Sequence, residues 1–111
     1  MTFEEAAELF RQFRDERDWR QFHTPKDVAL SISLEAAELL ELFQWSGEAL
    51  DVPERREQMA QELADVLFYC VAFADATGID IPEAMANKMV LNRRKYPVDK
   101  ARGSAAKYNE L

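Results

Sequence analysis

Apolar residues recur along this chain at helical spacing, and nowhere do they alternate with polar ones for long enough to make a useful strand. The starts of four helices are readable from their caps. Thr2 with Glu5 and Asp80 with Glu83 have capping-box spacing, Thr24-Pro25 puts proline at a first helical position, and Asp51 stands ahead of Pro53-Glu54. Gly47, Gly78 and Pro97 supply the stops. These signals predict helices over Phe3 to Trp19, Pro25 to Trp45, Pro53 to Thr77 and Ile81 to Tyr96. Short connections then favour antiparallel neighbours, so the expected class is all-α, of the four-helix-bundle type. With 111 residues, one domain spanning 1–111 is expected, its residues 98–111 forming an extended or mobile C-terminal arm. The loop from Ser46 to Val52 is the other expected flexible segment.

Two of these helices carry more apolar surface than a small monomer can cover. From Val66 to Ala74 only the Tyr69 hydroxyl and the Cys70 thiol interrupt an apolar run, so the third helix lacks a polar stripe. The second helix shows the same excess through Val28, Leu30, Ile32, Leu34, Leu39, Leu40, Leu42 and Phe43. A homo-oligomer built on these helices is the expectation.

Composition narrows the partners. Hydrophobic residues make up 48% and charged residues 32%, which permits a core and argues against global disorder. Fourteen basic against twenty-one acidic side chains give a net charge of −7, the wrong sign for coating a nucleic acid polymer. A polyanionic ligand would therefore need a cation as intermediary. The lone Cys70 cannot form an intramolecular disulfide and reads as a buried thiol. The N-terminus lacks the pattern of a secretory signal and no run reaches transmembrane length, so no membrane association and a cytoplasmic location are expected.

Acids placed inside the two apolar helices carry the chemistry. Glu35 and Glu38 lie three apart and share a face of the second helix, and Glu62 and Asp65 do the same on the third. Glu41 falls one turn beyond Glu38. A single Glu-x-x-Glu pair is common surface decoration, but here two acidic pairs each abut an apolar segment. If the helices are antiparallel neighbours, four carboxylates converge, and two charges ~4 Å apart at an effective dielectric of ~20 repel by about 4 kcal/mol. Such a cluster must be protonated, hydrated or neutralised by cations. Carboxylate oxygens suit magnesium, with manganese as a substitute, whereas a di-iron bundle would show Glu-x-x-His. The only histidine, His23, precedes the second helix and is in no such motif.

The pattern Glu35-Ala36-Ala37-Glu38, twenty-three intervening residues, then Glu62-Leu63-Ala64-Asp65 resembles the E-x-x-E and E-x-x-D signature of the MazG-like all-alpha nucleotide pyrophosphohydrolases. Arg17-Asp18-Trp19, Gln21-Phe22-His23, Glu41-Leu42-Phe43-Gln44-Trp45, Lys88-Met89, Asn92-Arg93-Arg94-Lys95-Tyr96-Pro97 and Lys107-Tyr108-Asn109-Glu110-Leu111 are similar to the dCTP pyrophosphatase branch. The likeness spans nearly the whole chain. It departs in a segment between Gly47 and Arg55 that is shorter than in animal members, which bears on loop-dependent specificity and not on the metal site.

The resemblance implies that Glu35, Glu38, Glu62 and Asp65 bind magnesium and form the catalytic centre. It also implies a nucleoside triphosphate substrate, dCTP or a modified dCTP, cleaved to monophosphate and pyrophosphate in a nucleotide-pool housecleaning role. A homotetramer assembled as a dimer of dimers is implied as well. Trp19, Trp45 and Tyr69 match family positions near base and sugar, although a tryptophan at a helix end is ordinarily a core plug. His23 is either a substrate contact or a partner near the helix start. Lys88, Asn92 and Tyr96 share one helix face by their spacing of four and could donate to phosphate or sugar. Cations in a last helical turn are also favoured by the helix dipole alone. Three classes stay open: an enzyme, a nucleotide-binding regulator without turnover, and a purely structural bundle.

Overall fold

Thr2 closes the start of the first helix from both sides. Its hydroxyl accepts from the Glu5 N–H at 3.1 Å while the Glu5 carboxylate accepts from the Thr2 N–H at 3.4 Å, satisfying two otherwise orphaned donors. This helix, α1, runs Phe3–Glu16, three residues short of Trp19, because Asp18 turns into the left-handed region at φ 55°. A 3-10 turn over Trp19–Phe22 then leads to Thr24, whose hydroxyl caps α2 (Pro25–Glu41) by accepting from the Asp27 N–H at 3.2 Å. The computed structural model describes residues 1–111, and every regular element in it is helical.

The end of α2 departs from the expectation of a helix through Trp45. After Glu41 the bonds tighten to a three-residue span, with Leu42, Phe43 and Gln44 donating to Leu39, Leu40 and Glu41, and Trp45 then swings to φ 69°. Asp51 does not cap the next helix. Val52 occupies that position at φ 39° without a side-chain cap, Pro53–Arg55 form a 3-10 turn, and α3 follows as Arg56–Thr77. Gly78 ends α3 at φ 74°, a conformation that costs glycine nothing, and its N–H donates to the Ala74 carbonyl at 2.9 Å.

The chain divides into two compact units, Met1–Gly78 and Ile79–Leu111. In the first, α2 packs mainly against α3, and α1 covers α3 from another side. Ala7, Phe10, Val28, Val71 and Ala72 form its core, with Phe68, Tyr69 and Phe73 packed against it. One charged side chain lies inside this unit. Arg14 is 1% exposed, and its guanidinium donates to Asp75 at 2.8 Å and to Asp15 at 2.8 Å. Arg11 reaches the same Asp75 carboxylate at 3.1 Å and 3.3 Å. Burial works against the charge of Asp75, but the two guanidiniums outweigh it and hold its carboxyl below the usual range. A charge buried this deeply without partners would cost several kcal/mol, so the cluster rivets α1 to α3 only as a complete set.

The second unit starts with Asp80 capping α4 (Ile81–Lys95) by accepting from the Glu83 N–H at 2.9 Å. The segment expected to be an extended arm is ordered into a turn of helix, α5 (Val98–Ala101), and a 3-10 turn over Tyr108–Glu110. Tyr108 meets Tyr96 edge-on at 6.2 Å, and the Lys95 ammonium lies 4.8 Å from the Tyr108 ring.

Candidate metal centre

Three helical turns separate Glu35 from the end of its cap-defined helix start, and that phase turns its carboxylate toward α3. There one oxygen each of Glu35, Glu62 and Asp65 lies within 4.8 Å of the others. The helices run in opposite directions through this contact. Tyr69, one turn beyond Asp65 in α3, feels the charge of Glu35, whereas Glu62 feels Glu38 and Glu41 further along α2. Glu38 is exposed and is not one of the three whose oxygens converge, but its nearness raises the carboxyls of both Glu35 and Glu62. Glu35 therefore meets Glu62 and Asp65 across the α2–α3 contact, three of the four carboxylates whose spacing placed them on facing helices.

No cation of the chain balances this charge. Glu35 Oε2 and Glu62 Oε2 are buried and have no hydrogen-bond partner, and each such orphan ordinarily costs about 1–3 kcal/mol. Desolvation, the proximity of Glu38, and then the charges of Asp65 and Glu62 push the Glu35 carboxyl up to about 7. Desolvation and Glu38 raise Glu62 in the same way. Desolvation followed by Glu35, Asp65 and Glu38 raises the Tyr69 phenol. A hard divalent cation fits these observations: it would take up both orphaned oxygens and relieve the repulsion. Few protein ligands leave coordination positions for water and phosphate, the arrangement magnesium favours.

An aromatic wall continues from the acids. The Tyr69 ring meets His23 edge-on at 6.2 Å, His23 lies parallel to Phe10 with centroids 6.5 Å apart, and Phe10 stacks on Phe68 at 5.2 Å. Desolvation and then the Arg14 charge lower the His23 pKa, favouring the neutral ring. Its Nδ1 is buried without a partner. Trp19 turns elsewhere, packing edge-on against Phe13 at 5.4 Å. Trp45 is 92% exposed and lines a cleft of about 320 Å³ with Glu41, Gln44, Ser46 and Arg55. Glu41 joins that cleft to the acids, since its charge reaches Glu62. Lys88, Asn92 and Tyr96 all lie on or at the end of α4, in the second unit, whereas the acidic cluster is complete within the first.

Arg14 and Asp75 escaped the sequence reading. Arg14 does carry a signal, because Ala7, Phe10 and Arg14 follow one another at spacings of three and four and so occupy one buried helical face. Asp75 had none, since its role depends on a partner 61 residues away.

A family model described as the MazG-like family matches residues 30–111. dCTP pyrophosphatase 1 of Rattus norvegicus is 44% identical over 115 residues, which span 99% of this chain and 68% of that protein. The Homo sapiens protein of the same name is 43% identical over the same spans. A solved pyrophosphatase from Archaeoglobus fulgidus is similar with a TM-score of 0.76 and 49% identity, covering 85% of this chain and 91% of that one.

Proposed function

The chain belongs to the MazG-like family, and from that premise we propose that it is a nucleoside triphosphate pyrophosphohydrolase that converts dCTP or a modified dCTP to the monophosphate and pyrophosphate. The observation that carries this reading is the convergence of Glu35, Glu62 and Asp65 within 4.8 Å around two unpartnered buried oxygens. Magnesium, or manganese in its place, would be held by Glu35, Glu38, Glu62 and Asp65. The chemistry it supplies is neutralisation of phosphate charge and activation of a water for attack on phosphorus.

The remaining roles fall to the chain's own side chains. Glu38, whose charge is felt by both Glu35 and Glu62, orients the attacking water or accepts its proton. His23 and Tyr69 wall the pocket beside the acids and contact the sugar. Trp45 offers an open aromatic face to the base, an interaction worth roughly 1–3 kcal/mol. Trp19 is a further candidate for base and sugar, and Lys88, Asn92 and Tyr96 donate to phosphate or sugar. In this reading residues 1–111 act as one catalytic domain of the four-helix-bundle type, working on the nucleotide pool in the cytoplasm. No helix is long and apolar enough to cross a membrane.

A homo-oligomer, a tetramer built as a dimer of dimers, completes the proposal. In the isolated chain Leu34 is 66% and Leu40 70% exposed on α2, and Met85 is 64% exposed on α4. Exposed apolar area of this kind is what an obligate interface covers. Sedimentation at micromolar concentration should give a multiple of the 12.8 kDa chain, and a monomer would refute the assembly.

The activity is tested by incubating the purified protein with each common dNTP and NTP, with and without magnesium, and measuring pyrophosphate and bound nucleotide. Magnesium-dependent pyrophosphate release, fastest with dCTP, is expected. Binding without turnover would make the protein a nucleotide sensor, and neither binding nor turnover would make it a scaffold.

A further inference from the structure

Arg14 does more than tie two helices together. Its guanidinium carbon lies 5.7 Å from the centroid of the Phe10 ring, while its nitrogens are held by Asp75 on α3 and by Asp15. Phe10 is in turn parallel to His23, with an interplanar angle of 4°. The far edge of His23 meets Tyr69, whose phenol feels Glu35 and Asp65. The buried guanidinium, two stacked rings and the wall of the acidic centre thus form one continuous series. His23 itself follows the four-residue 3-10 turn Trp19–Phe22 as its C-cap, and its buried Nδ1 makes no hydrogen bond. Nothing in its own element locks the ring's rotamer; the lock comes from Phe10.

We infer that Arg14, clamped by Asp75 and Asp15, is a positioning residue for the nucleotide site, holding Phe10 so that the His23 ring is presented beside Tyr69 at a fixed angle to the bound substrate. The inference rests on the nucleotide reading above but is read out separately from it. The groups charged or titratable around His23 are Arg14 from α1 and Tyr69 from α3, with Glu35 and Asp65 behind Tyr69. A fork-shaped donor suits the task, because it satisfies two carboxylates while its charge stays 5.7 Å from the Phe10 ring centroid.

His23 is the only histidine, so its imidazole proton resonances are unambiguous. They should be recorded at alkaline pH, where the ring is neutral in wild type and variants alike, for Arg14→Met, Arg14→Lys and Asp75→Asn. Arg14→Met should displace the His23 resonances and weaken the ring-to-ring Overhauser contacts with Phe10 and Tyr69. KM for the triphosphate should rise on the order of tenfold, within the hundredfold range that misplacement of a positioned group can cost, while kcat falls less. Arg14→Lys, which keeps the charge and loses the fork, should restore only part of both effects.

Unchanged His23 signals and an unchanged KM in a folded Arg14→Met protein would overturn the inference and leave Arg14 a structural rivet. Should that variant fail to fold, Asp75→Asn retains the cation while loosening its clamp. A smaller displacement in the same direction would support the inference, and none would overturn it. If the wild-type protein releases no pyrophosphate, the functional reading fails, and the positioning claim is then judged by the His23 signals alone.

Discussion

The Glu35 carboxyl gives the sharpest quantitative test of the acidic centre. Its pKa rises from 4.5 to about 7 through desolvation, the nearness of Glu38, and the charges of Asp65 and Glu62. At ~1.4 kcal/mol per tenfold change in protonation, ionising it in the folded protein costs at most about 3 kcal/mol, and roughly half of that once water on its open side is counted. The sign follows from which state holds the proton. Between 4.5 and 7 the folded chain keeps a proton that the unfolded chain has released, so the stabilisation is complete below 4.5 and is lost as pH rises through 7. With chelator present and protein concentration fixed, thermal midpoints should therefore fall across this window by roughly 6–10 °C more in wild type than in Glu35→Gln. Magnesium should remove the difference from the wild-type curve, because binding takes up the charge and expels the proton. Parallel metal-free curves for wild type and Glu35→Gln would refute the argument, since the carboxylate would then ionise without feeling its neighbours.

Three further outcomes are expected. Glu38→Gln should keep the helical circular dichroism spectrum while lowering pyrophosphate release by ~100-fold or more, the scale of a lost acid–base group; near-normal turnover would count against the site. Lys88→Glu should raise KM if the ammonium meets the triphosphate, and steady-state kinetics showing an unchanged KM would assign Lys88 to the surface. Thr24→Ala removes the hydroxyl that accepts from the Asp27 N–H at 3.2 Å and should lower stability by about 1 kcal/mol in denaturant titration, with activity at permissive temperature retained.

What could be read from the chain alone was what neighbouring residues decide between themselves. Thr2, Thr24 and Asp80 cap their helices as expected because a cap acts within three residues, and Gly78 stops α3 for an equally local reason. The acidic residues were legible because the i, i+3 spacing fixes a face, and the packing of α2 on α3 brings Glu35 opposite Glu62 and Asp65. Trp45 and Val52 were not, since bulky and β-branched residues at positive φ adopt that conformation only under tertiary constraint. The pairing of Arg14 was not legible, because its counter-charge Asp75 comes from α3, far along the chain. The order near the C-terminus was hidden for the same reason, because Tyr108 finds Tyr96 across a turn and not along a helix.

The Arg55 guanidinium donates to the Leu42 carbonyl at 2.8 Å, drawing together the two ends of the segment between α2 and α3. A clasp at the neck isolates whatever hangs beyond it. Lengthening the hanging portion adds only about 0.6 kcal/mol of closure entropy per doubling, while the register that sets Glu35 opposite Glu62 and Asp65 is left alone. Natural variation could therefore remodel the rim around Trp45 freely without disturbing the carboxylate cluster.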